Sequence, residues 1–182
     1  MKVFVTGVNG QLGHDVMNEL AKRGYEGVGS DLAPEYSGVE DGSAVTKMPY
    51  VSLDITDADA VDKVITDVNP DVIVHCAAWT AVDMAEDDDK VEAVRMVNVG
   101  GTQNIANVAK KLDVPMVYLS TDYVFDGQGT KPWEPDFKGY KPLNVYGETK
   151  LGGEKAVADT LDKYFIVRIA WVFGINSHNF IK

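Results

Sequence analysis

Tyr146 and Lys150 stand four residues apart in the run Val145-Tyr146-Gly147-Glu148-Thr149-Lys150. On a helix that spacing puts both side chains on one face. The pairing has a chemical use. A tyrosine with its ordinary pKa of ~10 is a poor acid–base group at neutral pH, and an adjacent ammonium favours its phenolate. Such a pair can pass a proton to a carbonyl oxygen while a hydride arrives at the carbon. Earlier in the chain, Ser120-Thr121-Asp122 closes an apolar run, and a hydroxyl from Thr121 or Ser120 would polarise the same carbonyl. The Tyr–Lys spacing alone is common, an exposed helix pair being the plain alternative. The catalytic reading therefore depends on what the other elements bring to the same place.

The first of those elements is Val3-Phe4-Val5-Thr6-Gly7-Val8-Asn9-Gly10-Gln11-Leu12-Gly13. A β-branched and aromatic run enters a glycine-spaced turn, and Leu12, Val16, Leu20 and Ala21 then recur at helical spacing. The pattern predicts strand, tight loop, helix. Glycines at 7, 10 and 13 let a pyrophosphate reach the first helical amides, whose unpaired N–H groups favour an anion. The spacing is G-x-x-G-x-x-G, weak alone and much stronger directly after an N-terminal strand. A dinucleotide on this loop would supply the hydride as nicotinamide.

Asp31 closes the predicted second strand at roughly the 20-residue spacing where an acid accepts from an adenosine ribose. There it would repel a 2′-phosphate, which favours NADH over NADPH. Asp54 closes a short third strand and could accept from the adenine amino group, with Ile55 packing on the ring; capping the next helix is its plain alternative. The small residues of Ala77-Ala78-Trp79-Thr80 would let a cofactor pass close over the sheet edge. His75 and Cys76 read as packed strand-end residues, and His14, His75 and His178 share no metal-ligand spacing, so no metal site is predicted.

Apolar runs alternate with helical patterns throughout. Strands are expected at 26–31, 50–53, 72–75, 114–119 and 165–169. Helices follow the first loop, run from an Asp57 cap to Asn69-Pro70, occupy about 83–111, and span 146 to about 161. Residues 33–49 and 121–141 read as loops. Glu86-Asp87-Asp88-Asp89 reads as a solvated helix start. The fold class expected is α/β, a Rossmann-type doubly wound parallel sheet with 1–182 as one dinucleotide-binding domain. The loops at the carboxyl ends of its strands then converge on one crevice.

Composition narrows the partners. A net charge of −11 argues against nucleic acid, which demands clustered Lys and Arg. The longest apolar runs fall short of a transmembrane helix, so no membrane is expected. A single cysteine rules out an internal disulfide framework. The chain enters its first strand at once, leaving no room for a signal peptide, and the cytoplasm is the expected location.

With these residues in place, the chain resembles the extended short-chain dehydrogenase/reductases, and within them the dTDP-4-dehydrorhamnose reductases. The resemblance rests on Thr-Gly-Val-Asn-Gly-Gln-Leu-Gly at 6–13, Ala-Ala-Trp-Thr-Ala-Val-Asp at 77–83 and Ser-Thr-Asp-Tyr-Val-Phe-Asp-Gly at 120–127. Pro-Leu-Asn-Val-Tyr-Gly-Glu-Thr-Lys at 142–150 and Arg-Ile-Ala-Trp-Val-Phe-Gly at 168–174 complete it. It implies reduction of the C4 ketone of a dTDP-linked 6-deoxy sugar to dTDP-L-rhamnose, using NADH or NADPH. By position it implies that Gly10, Gln11, Leu12, Asp31, Asp54, Ile55, Ala78, Trp79 and Thr80 contact the dinucleotide. Tyr146 would be the proton donor, and Lys150 would hold the nicotinamide ribose and tune Tyr146. Thr121 and Asp122 would face the substrate, and Trp171 would line its sugar end. Trp79 stands where the family usually has Tyr or His. Members differ in NADH or NADPH use, so Asp31 leaves that choice open.

The family's chain continues past this point into a second lobe that closes over the sugar nucleotide, so the substrate lobe is expected to be largely missing here. Such a portion could bind dinucleotide without turnover. Related alternatives are a 4,6-dehydratase or a 4-epimerase. A dehydratase would carry glutamate after its Thr-Asp, where this chain has Tyr123. From another class, the pattern is also similar to the non-catalytic methionine adenosyltransferase β subunit, a dinucleotide-binding regulatory subunit. A homodimer is one open assembly.

Overall fold

A computed structural model describes residues 1–37, 48–176, 179 and 181. The predicted loop at 33–49 falls partly on 38–47, outside the described residues, and so does His178. Among the described residues, β1 (Lys2–Thr6), β2 (Glu26–Asp31), β3 (Tyr50–Ser52), β4 (Val72–His75), β5 (Met116–Thr121) and β6 (Tyr164–Ile169) form one sheet. All pairings are parallel. The order is β3-β2-β1-β4-β5-β6, the doubly wound arrangement whose strand order reverses between β1 and β4.

Alternation along the strands assigns the faces. Val3 and Val5 of β1 pack with Val8 and with Met17 of α1 (Gln11–Lys22) on one side. Phe4, Ile73 and Tyr118 pack on the other with α2 (Ala58–Val68), α4 (Thr102–Leu112) and α5 (Val145–Thr160), through Ile65, Ile105 and Val157 among others. Each fully buried aliphatic or aromatic side chain there contributes roughly 1.5–3 kcal/mol. Layers on both faces leave the carboxyl edge of the sheet as the open crevice.

The local signals act as their chemistry requires. Asp57 caps α2 by accepting from Ala60 N–H at 3.0 Å, and Asn69 ends it in the left-handed conformation at φ 49° before Pro70. Asn144 caps α5, accepting from Gly147 N–H at 2.7 Å.

Two expectations need correction. The helical region expected across 83–111 is broken into a 3₁₀ turn at Asp83–Glu86, α3 at Val91–Arg95, a π-helical stretch at Met96–Gly101, and then α4. Asp87 breaks the first part with extended backbone, so the acidic run lies ahead of α3. Glu86 turns its carboxylate to Val145 N–H at 2.7 Å, at the start of α5. The fifth strand begins two residues later than expected. Asp113 ends α4 in the left-handed conformation at φ 56°, and Val114 N–H still bonds to Ala109. The strand consequently reaches further, and Ser120 and Thr121 pair with Arg168 and Ile169 inside the ladder.

Candidate active site

The strand ends and the first loop enclose a cleft of about 630 Å³. Gly7 turns at φ +73°, and a Cβ on it would lie 2.6 Å from Ala77 N in the loop after β4. A Cβ on Gly13 would collide with the Gly7 carbonyl and sit 2.8 Å from Val8 Cα. These two positions hold the loop, α1 and the β4 end in close contact. Gly10 precedes α1 and makes no side-chain cap, so among the described residues no side chain takes the amides of the first helical turn. Gly10, Gln11, Leu12 and Gly13 all line the cleft.

At the β2 end, Asp31 lines the cleft and accepts from Asn9 N–H at 2.9 Å and Leu32 N–H at 2.8 Å. Its carboxylate thus ties the glycine loop to the strand tip. Asp54 also lines the cleft, but it is not the helix cap. Its Oδ1 holds Thr56 through N–H at 2.8 Å and Oγ1 at 2.7 Å, three residues ahead of the Asp57 cap. Ile55 is buried in the core and shows one side to the cleft.

Ala78 and Thr80 line the cleft from the β4 loop; Trp79 does not. Its backbone N–H is drawn to Asn98 Oδ1 at 2.8 Å, and its indole N–H donates to Ala81 O at 3.2 Å. Asn98 was not foreseen: from the π-helical stretch its amide also donates to Trp79 O and to Thr149 Oγ1 on α5. It stitches the cofactor-side loop to the helix that carries Tyr146.

His75 is buried between the hydroxyls of Thr6 and Thr102, at 2.7 and 3.1 Å, and burial pulls its pKa down to about 3. It is a neutral, packed ring. Burial likewise pushes the Cys76 thiol up to about 12, although it borders the cleft. Among the described residues no cluster of His, Cys, Asp or Glu could hold a metal ion.

Thr121, Asp122, Tyr146, Lys150 and Trp171 share the far half of the cleft. Thr121 donates to Asp122 Oδ1 at 3.1 Å and accepts from Tyr123 N–H at 3.2 Å. Trp171 stands 77 % exposed with φ +53°, an uncommon backbone for a bulky residue. The Tyr146 ring meets Tyr123 edge-on at 5.6 Å.

The charge relation inside the pair differs from expectation. Lys150 donates to Leu119 O at 2.7 Å and lies 4.2 Å from the Tyr118 ring centre. Burial lowers its pKa from 10.5 to about 7. Burial also raises the Tyr146 pKa; hydrogen bonding to Thr121 opposes this, and Asp122 and Tyr123 add to it. The expected shift toward phenolate is therefore reversed, because desolvation dominates and the ammonium is committed to β5. The arrangement favours a neutral phenol at physiological pH, the form that can give a proton.

A glycine-cradled helix start, an acid at the second strand end and a Tyr-x-x-x-Lys helix beside a strand-end threonine define a Rossmann-type chain with the site layout of the short-chain dehydrogenase/reductases. A family model described as "RmlD substrate binding domain" matches residues 1–182, and the chain belongs to that family. It is 38% identical over 179 residues to a dTDP-4-dehydrorhamnose reductase of Streptomyces griseus, covering 98% of this chain and 52% of that protein. A solved dTDP-4-dehydrorhamnose reductase ortholog from Clostridium acetobutylicum superposes with a TM-score of 0.83 at 36% identity, over 100% of this chain and 57% of that one. Another, from Bacillus anthracis and solved in complex with NADP, has a TM-score of 0.80 at 34% identity, over 99% and 57%. The chain spans about half the length of these relatives.

Proposed function

We propose that residues 1–182 are the dinucleotide-binding unit of an NAD(P)H-dependent reductase. Its substrate would be the C4 ketone of dTDP-4-dehydro-6-deoxy-L-mannose, and its product dTDP-L-rhamnose. The observation that carries this reading is the convergence of Thr121 and Tyr146 on the cleft that the glycine loop opens at its other end.

The residues fit a dinucleotide. A Cβ would fill the space at Gly7 and Gly13, and the uncapped start of α1 offers amides to a pyrophosphate. Asp31 faces the adenosine ribose end, and Lys150 is the one cation among the described residues lining the cleft. Asp31 would repel a 2′-phosphate, and among the described residues lining the cleft none beside it is cationic, which supports NADH as the preferred form. Asp54 and Ile55 would hold the adenine, and Ala78 and Thr80 the middle of the cofactor. A reduced nicotinamide supplies the hydride when bound.

The chain's own groups do the rest. Tyr146 gives its phenolic proton to the carbonyl oxygen as charge builds there. With the ketone in place, the Thr121 hydroxyl turns from Asp122 Oδ1 to donate to the same oxygen, stabilising the developing oxyanion. Asp122 and Trp171 border the sugar, and Lys150 holds the nicotinamide ribose from the cleft floor. Tyr123, where a dehydratase would need a carboxylate, supports reduction over water elimination.

The test is Tyr146→Phe in the protein extended to the length of its relatives. Turnover should fall at least ~100-fold while NADH affinity stays within about twofold, since only a transition-state proton is lost. Wild-type turnover by this variant would remove Tyr146 from the mechanism.

A further inference from the structure

The strand end that presents Thr121 is clamped to α5 by three successive contacts. Tyr118 Oη donates to Lys150 O at 3.3 Å, Lys150 Nζ donates to Leu119 O at 2.7 Å, and Ser120 Oγ donates to Glu154 Oε1 at 2.6 Å. Tyr146, Lys150 and Glu154 follow one another at four-residue steps along that helix. The clamp therefore joins the element carrying Tyr146 to the element carrying Thr121. Two groups that must meet at one oxygen depend on that join.

Glu154 is the unusual member. Its side chain is 4 % exposed, and its charge is met by Arg168, itself 18 % exposed. Arg168 donates through Nε to Oε1 and through one terminal nitrogen to Oε2, both at 2.8 Å. It sits on β6 directly opposite Ser120 in the ladder. The carboxylate thus bridges neighbouring residues of two strands from the helix above them. The guanidinium also donates to Tyr140 Oη at 2.9 Å and lies 5.3 Å from the Phe125 ring centre, which anchors the loop leaving Thr121. A pair this buried gives little net stability compared with apolar packing, so its stability alone is a weak reason for it.

We propose that Glu154, held by Arg168, is the positioning residue that sets Thr121 against Tyr146. Ser120, the other candidate for polarising the carbonyl, spends its hydroxyl on Glu154 and acts as the link. This rests on the reductase reading of the same site. Glutamine at 154 keeps the shape but cannot serve all three donors, because its NH₂ faces either Ser120 and Nε or the terminal guanidinium nitrogen.

The experiment uses the extended protein with Ser120→Ala, Glu154→Gln, the double variant, and Tyr146→Phe as reference. Each is measured for kcat per bound NADH, KM for NADH and for the ketone, and thermal midpoint. Ser120→Ala and Glu154→Gln should each lower kcat at least ~10-fold, with KM for NADH within about twofold, as misplacement by a fraction of an ångström does. The double variant should be no slower than the slower single, since both cut one link. Reduced amounts of active protein with normal kcat per bound NADH would make Glu154 merely structural and overturn the proposal. Multiplying effects would overturn it too, by making Ser120 act independently. Where Glu154→Gln does not fold, Ser120→Ala decides alone, and normal kcat refutes the link. A fully active Tyr146→Phe would instead remove Tyr146 from the mechanism, and no turnover of the ketone by the unmodified extended protein would sink the reductase reading itself.

Discussion

Replacing Lys150 by Met should change how stability depends on pH. Burial lowers the Lys150 pKa from 10.5 to about 7, and the ammonium is compensated by one carbonyl at 2.7 Å and one aromatic face. Below pH 7 both folded and unfolded chains hold the proton, and the desolvation cost is fully felt. Between the two pKa values the folded chain has released a proton that the unfolded chain keeps, so stability rises with pH. From pH 7 to pH 9 that amounts to about 2 kcal/mol. Methionine preserves much of the stem and removes the titration. Urea unfolding of both chains at the two pH values, followed by tryptophan fluorescence, isolates the effect, because other groups titrate in both and largely cancel. Wild type should gain about 2 kcal/mol more than Lys150→Met as the pH is raised. Equal pH dependence in the two would refute a desolvated Lys150, and with it the reason given for the neutral phenol at Tyr146.

Gly13→Ala should abolish NADH binding in a fluorescence titration and destabilise the chain by ~1–3 kcal/mol, because its Cβ meets backbone that cannot move aside. Unaltered binding would show that the close contact of α1 with the first loop is dispensable. Asp31→Ala should relax the preference for NADH over NADPH, read as the ratio of their dissociation constants. It should also lower the thermal midpoint, since the Asn9 and Leu32 amides lose their acceptor. An unchanged ratio would deny Asp31 a part in ribose recognition.

Local signals made much of this architecture legible. The glycine spacing at 7, 10 and 13 reports a backbone constraint, and each strand's apolar alternation reports a buried face. Caps such as Asp57 and Asn69 act through neighbours in sequence, so their effects can be read without a fold. What stayed hidden depends on contacts between distant segments. The backbone amide of Trp79 is held by Asn98, some twenty residues on. The break that brings Asn98 inward is a π-helical stretch that periodicity does not announce. Lys150 and Tyr146 share a helix face as expected, but the direction of the ammonium is set by a carbonyl on β5. Glu154 left a trace, a charge one turn past Lys150 on the same face, but its meaning required Arg168 to arrive from β6.

The most direct test of the central claim follows NADH oxidation with dTDP-4-dehydrorhamnose as substrate. This chain is compared with the protein extended to the length of its relatives, and NADH is titrated into both. The account predicts NADH binding by both and turnover by the extended protein. Binding by both with no turnover by either would contradict the reductase function and favour an epimerase or a regulatory subunit built on the same cleft.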